Sequence, residues 1–188
     1  MQKRSNETQL RDDLFDSFLV NEAMNQFILK HLSPHAWRAK PPAGAGRTIA
    51  AIFSHIHNVR RKWLRLSAPH LELPAQLDRY RCTQHQAGVA LAESANRCSE
   101  MLAEALAGDG RVKEFLRDGW ARPWPAGAAM IAYMLAHEAH HRGQVCMLAH
   151  QLGFSIEAGY GMWVWEKLRK QTRANHSSRS ASLLRHRL

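Results

Sequence analysis

The stretch from His137 to Val145 reads HEAHHRGQV, so three imidazoles and a carboxylate fall within about one turn of a helix. Read as HExxH through His137, Glu138 and His141, it has the spelling of zinc proteases, in which the histidines grip the metal and the glutamate works on water. At about 100° per residue, His137 and His141 lie within roughly 40° of each other around the axis. Both sit in or beside an apolar stripe made by Met130, Met134, Val145, Leu148 and Leu152. Imidazoles on a core-facing stripe need partners, because a buried polar group without one costs a few kcal/mol. A shared cation would supply the partner, since neutral imidazole nitrogen binds zinc at about 2.0–2.1 Å. A hydrogen-bonded pair of core histidines is the plainer alternative. Gln144 and Tyr133, three residues after His141 and four before His137, could line the same site, whereas His140 points to one side of the stripe.

Two ligands hold a divalent ion weakly, and FSHIHNVRRKW offers His55 and His57 as a third. These two are about 200° apart around a helix, so one ion cannot easily take both, and each lies a similar angle from the apolar centre. Periodicity does not choose between them. The remaining histidines, His31, His35, His70, His85, His150, His176 and His186, fall at helix ends, in connections, on polar faces or in the tail, and are expected in solvent.

The protease reading fares poorly beyond its first five letters. A metzincin continues HExxHxxGxxH, but Arg142, Gly143 and Gln144 follow His141, so the glycine is misplaced and the third histidine is missing. Glu157 or Glu166 could be offered as a ligand, yet no strand pattern supplies a substrate-binding edge. Glu138 is better read as facing the protein interior, as a partner to a histidine or an arginine. Gly143 costs about 1 kcal/mol in a helix relative to alanine, and close approach of another helix is the expected reason for it.

The elements that must position these residues are helical. Apolar residues recur at helical spacing over about Thr8–Leu32, a segment starting near Thr48 and closing near Ser67, Thr83–Ala107, and Ala128–Leu152, with a shorter helix about Met162–Arg169. Leu14, Phe18, Phe27 and Ile28 face inward on the first; Ile49, Ile52, Phe53, Ile56, Val59 and Trp63 on the second; Val89, Leu91, Cys98, Met101, Leu102 and Leu106 on the third. Pro/Gly-rich KPPAGAGR and Gly108-Asp109-Gly110 mark breaks, and RVKEFLRDGWARPWPAG reads as a structured crossover. The expectation is an all-α fold, a four-helix bundle with long crossover connections and a short extra C-terminal helix. The bundle spans residues 1–170; residues 171–188 form a basic tail, rich in serine and expected to be disordered.

The formal charge of +10 in 188 residues comes largely from that end, where Lys167, Arg169, Lys170, Arg173, Arg179, Arg185 and Arg187 occur. No nucleic-acid-binding pattern accompanies them, so nonspecific attraction to polyanions is expected and no specific nucleic acid. Apolar runs are too short for a membrane span, and no signal peptide is expected at the polar N-terminus. Cys82, Cys98 and Cys146 form no CxxC pair, which points to a reducing, cytoplasmic setting.

HEAHHRGQV closely resembles the last-helix signature of the DinB (DinB/YfiT-like) family of metalloproteins. SHIHNVRRKWL resembles its second-helix signature, FLVNEAMNQFIL its asparagine-bearing first helix, and YGMWVWEKL the end seen in some members. The resemblance covers about residues 8 to 168. It implies a divalent metal held by His137, His141 and one second-helix histidine, assigned to His55 because it lies eight residues before Trp63, with His57 the alternative. It also implies a kinship with metal-dependent transferases and isomerases that use low-molecular-weight thiols, with a small-molecule substrate, and a homodimer is a reasonable expectation. Zinc is the favoured ion and nickel the next, since three imidazoles suit both. The noncatalytic alternative is a stress-associated binding or scaffold protein stabilised by the metal.

Overall fold

The computed structural model describes residues 6–42, 44–119, 122–156 and 165–171. Four long helices dominate: α1 (Asn6–His31), α2 (Ile49–Ser67), α3 (Gln84–Ala107) and α4 (Ala128–Gln151). The all-α expectation is met, and each helix begins and ends close to where its residues say it should. Thr48 caps α2 by accepting from the Ala51 N–H. Thr83 and Gln86 form a reciprocal capping box that satisfies two orphan N–H groups at the start of α3. Gly108 closes α3 in the left-handed region at φ 67°, where a side chain would be strained.

α1 and α2 each pack against both α3 and α4. The core falls into two apolar clusters. One gathers Ile28, Ile49, Ile52, Phe53, Ile56, Leu91, Val145 and Leu148. The other gathers Phe18, Trp63, Cys98, Met101, Leu102, Phe115, Met130 and Met134. Every helix places buried polar residues between these clusters: Asn21 and Asn25 on α1, Arg60 on α2, Ser94 on α3, Glu138 and Arg142 on α4. A polar layer thus divides the interior. The order of clusters along each helix also fixes direction, with α2 parallel to α3 and antiparallel to α4.

Two parallel neighbours require a connection that returns the full length of a helix, and residues 68–83 make it. The segment runs back along α2, where Arg61 donates to the Pro74 carbonyl, His57 to that of Ala75 and Asn58 to that of Leu77. Its far end meets the buried Trp37, whose indole donates to the Cys82 carbonyl.

The structured crossover before α4 is a small hairpin, β1 (Glu114–Phe115) against antiparallel β2 (Trp124–Pro125), which seals Phe115 into the second cluster. Three details differ from the sequence reading. Val89 is 56% exposed, because it lies about 200° around α3 from the buried Leu91. Leu14, Phe27, Val59 and Leu106 are only half-buried. Gly143 does not mark a close helix contact, for a Cβ there would meet nothing within 4 Å. The chain is helical again over residues 165–171. The start of the expected short helix, Glu157 and the basic tail beyond Gln171 lie outside the described residues. No helix among the described residues is long and apolar enough to cross a membrane.

Candidate metal centre

Antiparallel packing of α2 on α4 brings His55 beside His137 and His141. One nitrogen or more of each ring lies within 4.8 Å of those of the other two. The ring centroids form a triangle of 4.6 Å (His55–His141), 4.6 Å (His137–His141) and 5.4 Å (His55–His137). His141 is buried; the other two are half-buried. The three are positioned to hold a metal ion.

The donor chemistry fits a cation. His55 and His137 have no hydrogen-bond partner among the described residues. Only Trp63 Nε1 and His137 Nδ1 are buried side-chain nitrogens or oxygens without a partner there, and the two rings meet at 5.3 Å. Buried polar atoms are nearly always satisfied, so two exceptions at one spot single it out. Burial is the first reason these imidazoles resist protonation. It drives His55 down to about 4, helped by Arg47 and His141, and His137 to about 3, helped by His141 and His55. His141 is lowered as well, again chiefly by burial. All three are therefore neutral near pH 7, the form that offers a lone pair.

Gln144 sets the orientation of one of them. The His141 Nδ1–H donates to Gln144 Oε1 at 2.8 Å, which leaves Nε2 free to ligate. The Gln144 amide in turn donates to His140 Nε2 at 3.1 Å, so exposed His140 stands behind the site rather than in it. Tyr133 stacks at 6.4 Å from His137, and Trp63 meets it edge-on, which walls that side with aromatic surface.

His57 does something else. It is fully buried, its Nε2 donates to Ala75 at 2.8 Å and its Nδ1 lies 3.1 Å from the Ser94 hydroxyl. It is a satisfied core histidine, and the returning 68–83 segment covers it. The histidines expected in solvent, His31, His35, His70, His85 and His150, are exposed; His176 and His186 lie outside the described residues.

Glu138 is committed to partners inside the protein. Its carboxylate is fully buried and accepts from Arg60 at 2.7 and 2.6 Å, from Asn21 at 2.6 Å and from Asn25 at 2.7 Å. Burial alone would raise its pKa, but Arg60 and the amides outweigh that and hold it below the ordinary value. Arg60 also pairs with Glu22 at 2.7 Å, and Arg142 donates to the side-chain amide oxygens (Oδ1) of Asn21 and Asn25. This network ties α1, α2 and α4 together one layer below the histidines. Sequence reasoning found Glu138 but not Asn21, Asn25, Arg60 or Arg142 as its partners. Their signal was there: Asn21/Asn25 and Glu138/Arg142 are spaced four apart on the same faces as core residues.

Beside His141, which is one of its lining residues, an open cavity of about 780 Å3 is lined by His140, Gly143, Gln144 and Arg47, among others. Gly143 thus borders a void, and Arg47 was not among the residues singled out by type or spacing. A model of the DinB family matches residues 1–174 of the chain. No curated protein matches it.

Proposed function

The chain belongs to the DinB family, and from that premise we propose that it is a divalent-metal enzyme of the thiol-dependent transferase or isomerase type. The observation that carries this reading is the convergence of His55, His137 and His141, two of them without any other partner. Three imidazoles leave a four-coordinate ion one position short, as catalytic rather than closed structural sites do. Zinc is the favoured ion and nickel the next. Bound there, the ion would supply a Lewis acid that eases deprotonation of a thiol or water.

The chain's own residues prepare the place. Gln144 holds the His141 tautomer, burial keeps the imidazoles neutral, and the Arg60–Glu138 pair locks α2 against α4 in register. Trp63 and Tyr133 keep bulk water from one side, and the cavity beside His141 admits a small molecule from the other. A cytoplasmic setting and a homodimer belong to the same proposal.

A second reading is favoured by the fact that the histidines come from two neighbouring helices: an ion there would cross-link α2 to α4 in a noncatalytic scaffold. Metal analysis of wild type and His55→Ala, together with a panel of thiols and electrophiles, separates the cases. We expect metal in the wild type, its loss in the variant, and metal-dependent turnover. Equal metal content in both would remove His55 from the site. Metal without turnover for any thiol favours the scaffold.

A further inference from the structure

The cavity beside the histidines is chemically lopsided. Among its lining residues are Arg47, Ile52, His140, His141, Gln144 and Met147, and among the described residues no carboxylate lines it. Its volume of about 780 Å3 lies within the range of about 300–1,000 Å3 typical of small-molecule sites. One wall is apolar, with Ile52 buried and the flexible thioether of Met147 59% exposed. Gly143 adds no side chain to obstruct the floor.

Arg47 is exposed, and no hydrogen bond or ion pair engages its guanidinium among the described residues. Other cations around the histidines are engaged. Arg60 is committed to Glu138 and Glu22, Lys62 to Asp118, and Arg117 stands over the Tyr133 ring. Arg47 alone of these both lines the cavity and bears electrostatically on His55 and His141. A guanidinium presents paired donors in a fork that matches a carboxylate.

We propose that this cavity binds a small organic carboxylate with an apolar body, its carboxylate held by Arg47 and its body laid on Ile52 and Met147 toward His141. The proposal rests on the reading above that the histidine cluster is the working site, and it names the class of molecule that site receives.

Calorimetric titration of the full chain with 3-phenylpropionate and with its uncharged amide tests it, on zinc-loaded and on chelator-treated protein. The acid should bind more tightly than the amide in both preparations. Arg47→Ala should weaken the acid about five-fold, the scale of one solvent-facing charge pair, and leave the amide unchanged. Arg117→Ala should alter neither, because Arg117 is outside the cavity lining. The proposal is overturned if acid and amide bind alike, if neither binds, or if Arg117→Ala weakens the acid as much as Arg47→Ala does. It is equally overturned if the acid preference disappears with zinc and ignores Arg47→Ala, which would put the carboxylate on the ion. An Arg47-dependent preference that persists in a protein unable to bind metal would support the cavity and sink the metal reading alone.

Discussion

Replacing Glu138 by glutamine separates a structural carboxylate from a chemical one. All four of its hydrogen-bond contacts come from donors: Nε and Nη2 of Arg60 and the amides of Asn21 and Asn25. Glutamine keeps the shape but offers one oxygen and one NH2, so in either orientation a donor faces a donor. Removing one partner of a buried pair costs about 3–5 kcal/mol. Glu22 remains 2.7 Å from Arg60 and still offsets part of its charge, which argues for the lower end. About 3 kcal/mol lowers Tm by roughly 6–12 °C in a chain of this size. Against a total stability of about 5–15 kcal/mol, the variant should still fold. Thermal and urea unfolding followed by circular dichroism, with chelator present in both samples, isolate the effect from metal binding. If Tm fell by less than about 2 °C, the network would not be holding the fold as described, and Glu138 would be free for chemistry of the HExxH kind.

Other expectations follow from the same geometry. His57→Ala should retain metal yet lose about 1–3 kcal/mol, because the Ala75 carbonyl loses its donor and Ser94 one of its two partners; metal loss in this variant would reverse the assignment of the two second-helix histidines. Without metal, His55 and His137 have folded-state values of about 4 and about 3 against an ordinary 6.5. The unfolded chain therefore takes up protons first, so their contribution is complete above pH 6.5 and is lost as pH falls toward 4 and then 3. Discounted for half exposure, each is worth about 1–2 kcal/mol, and urea midpoints of chelated protein should drop between pH 7.5 and 5; a flat profile would contradict the burial argument. Gly143→Ala should raise Tm by about 2–4 °C, since alanine favours the helix and its Cβ meets open space. A fall would mean that something occupies that space.

What could be read from the residues alone was whatever obeys helical period and capping chemistry. The apolar stripe of α2, the Thr48 and Thr83 caps and the Gly108 stop place helix ends within a residue or so of those observed. The pairing of His137 with His141 was legible for the same reason. The polar layer was not, because periodicity places Asn21, Asn25, Arg60 and Arg142 on core faces but does not say that their side chains meet one another there. The tie between His55 and His57 could not be broken by angle, as both flank one stripe. What distinguishes them is long-range: the 68–83 return supplies His57 with a carbonyl, whereas α4 supplies His55 with two more imidazoles. The hairpin before α4 escaped because strands of two residues carry no alternation, and the free guanidinium of Arg47 because a lone arginine in a Pro/Gly-rich linker has no pattern at all.

The division of the interior into two apolar halves with charges between them bears on how an ion would come and go. The Arg60–Glu138 pair already clamps the antiparallel helices in register, five residues after His55 on one and next to His137 on the other. Folding, not ligation, therefore assembles the three imidazoles. A protein built this way would keep its shape with no ion at the three imidazoles, unlike small domains that collapse when chelated. Occupancy of such a preassembled place would then follow supply, and any element recovered with the purified chain would report the medium in which it was grown.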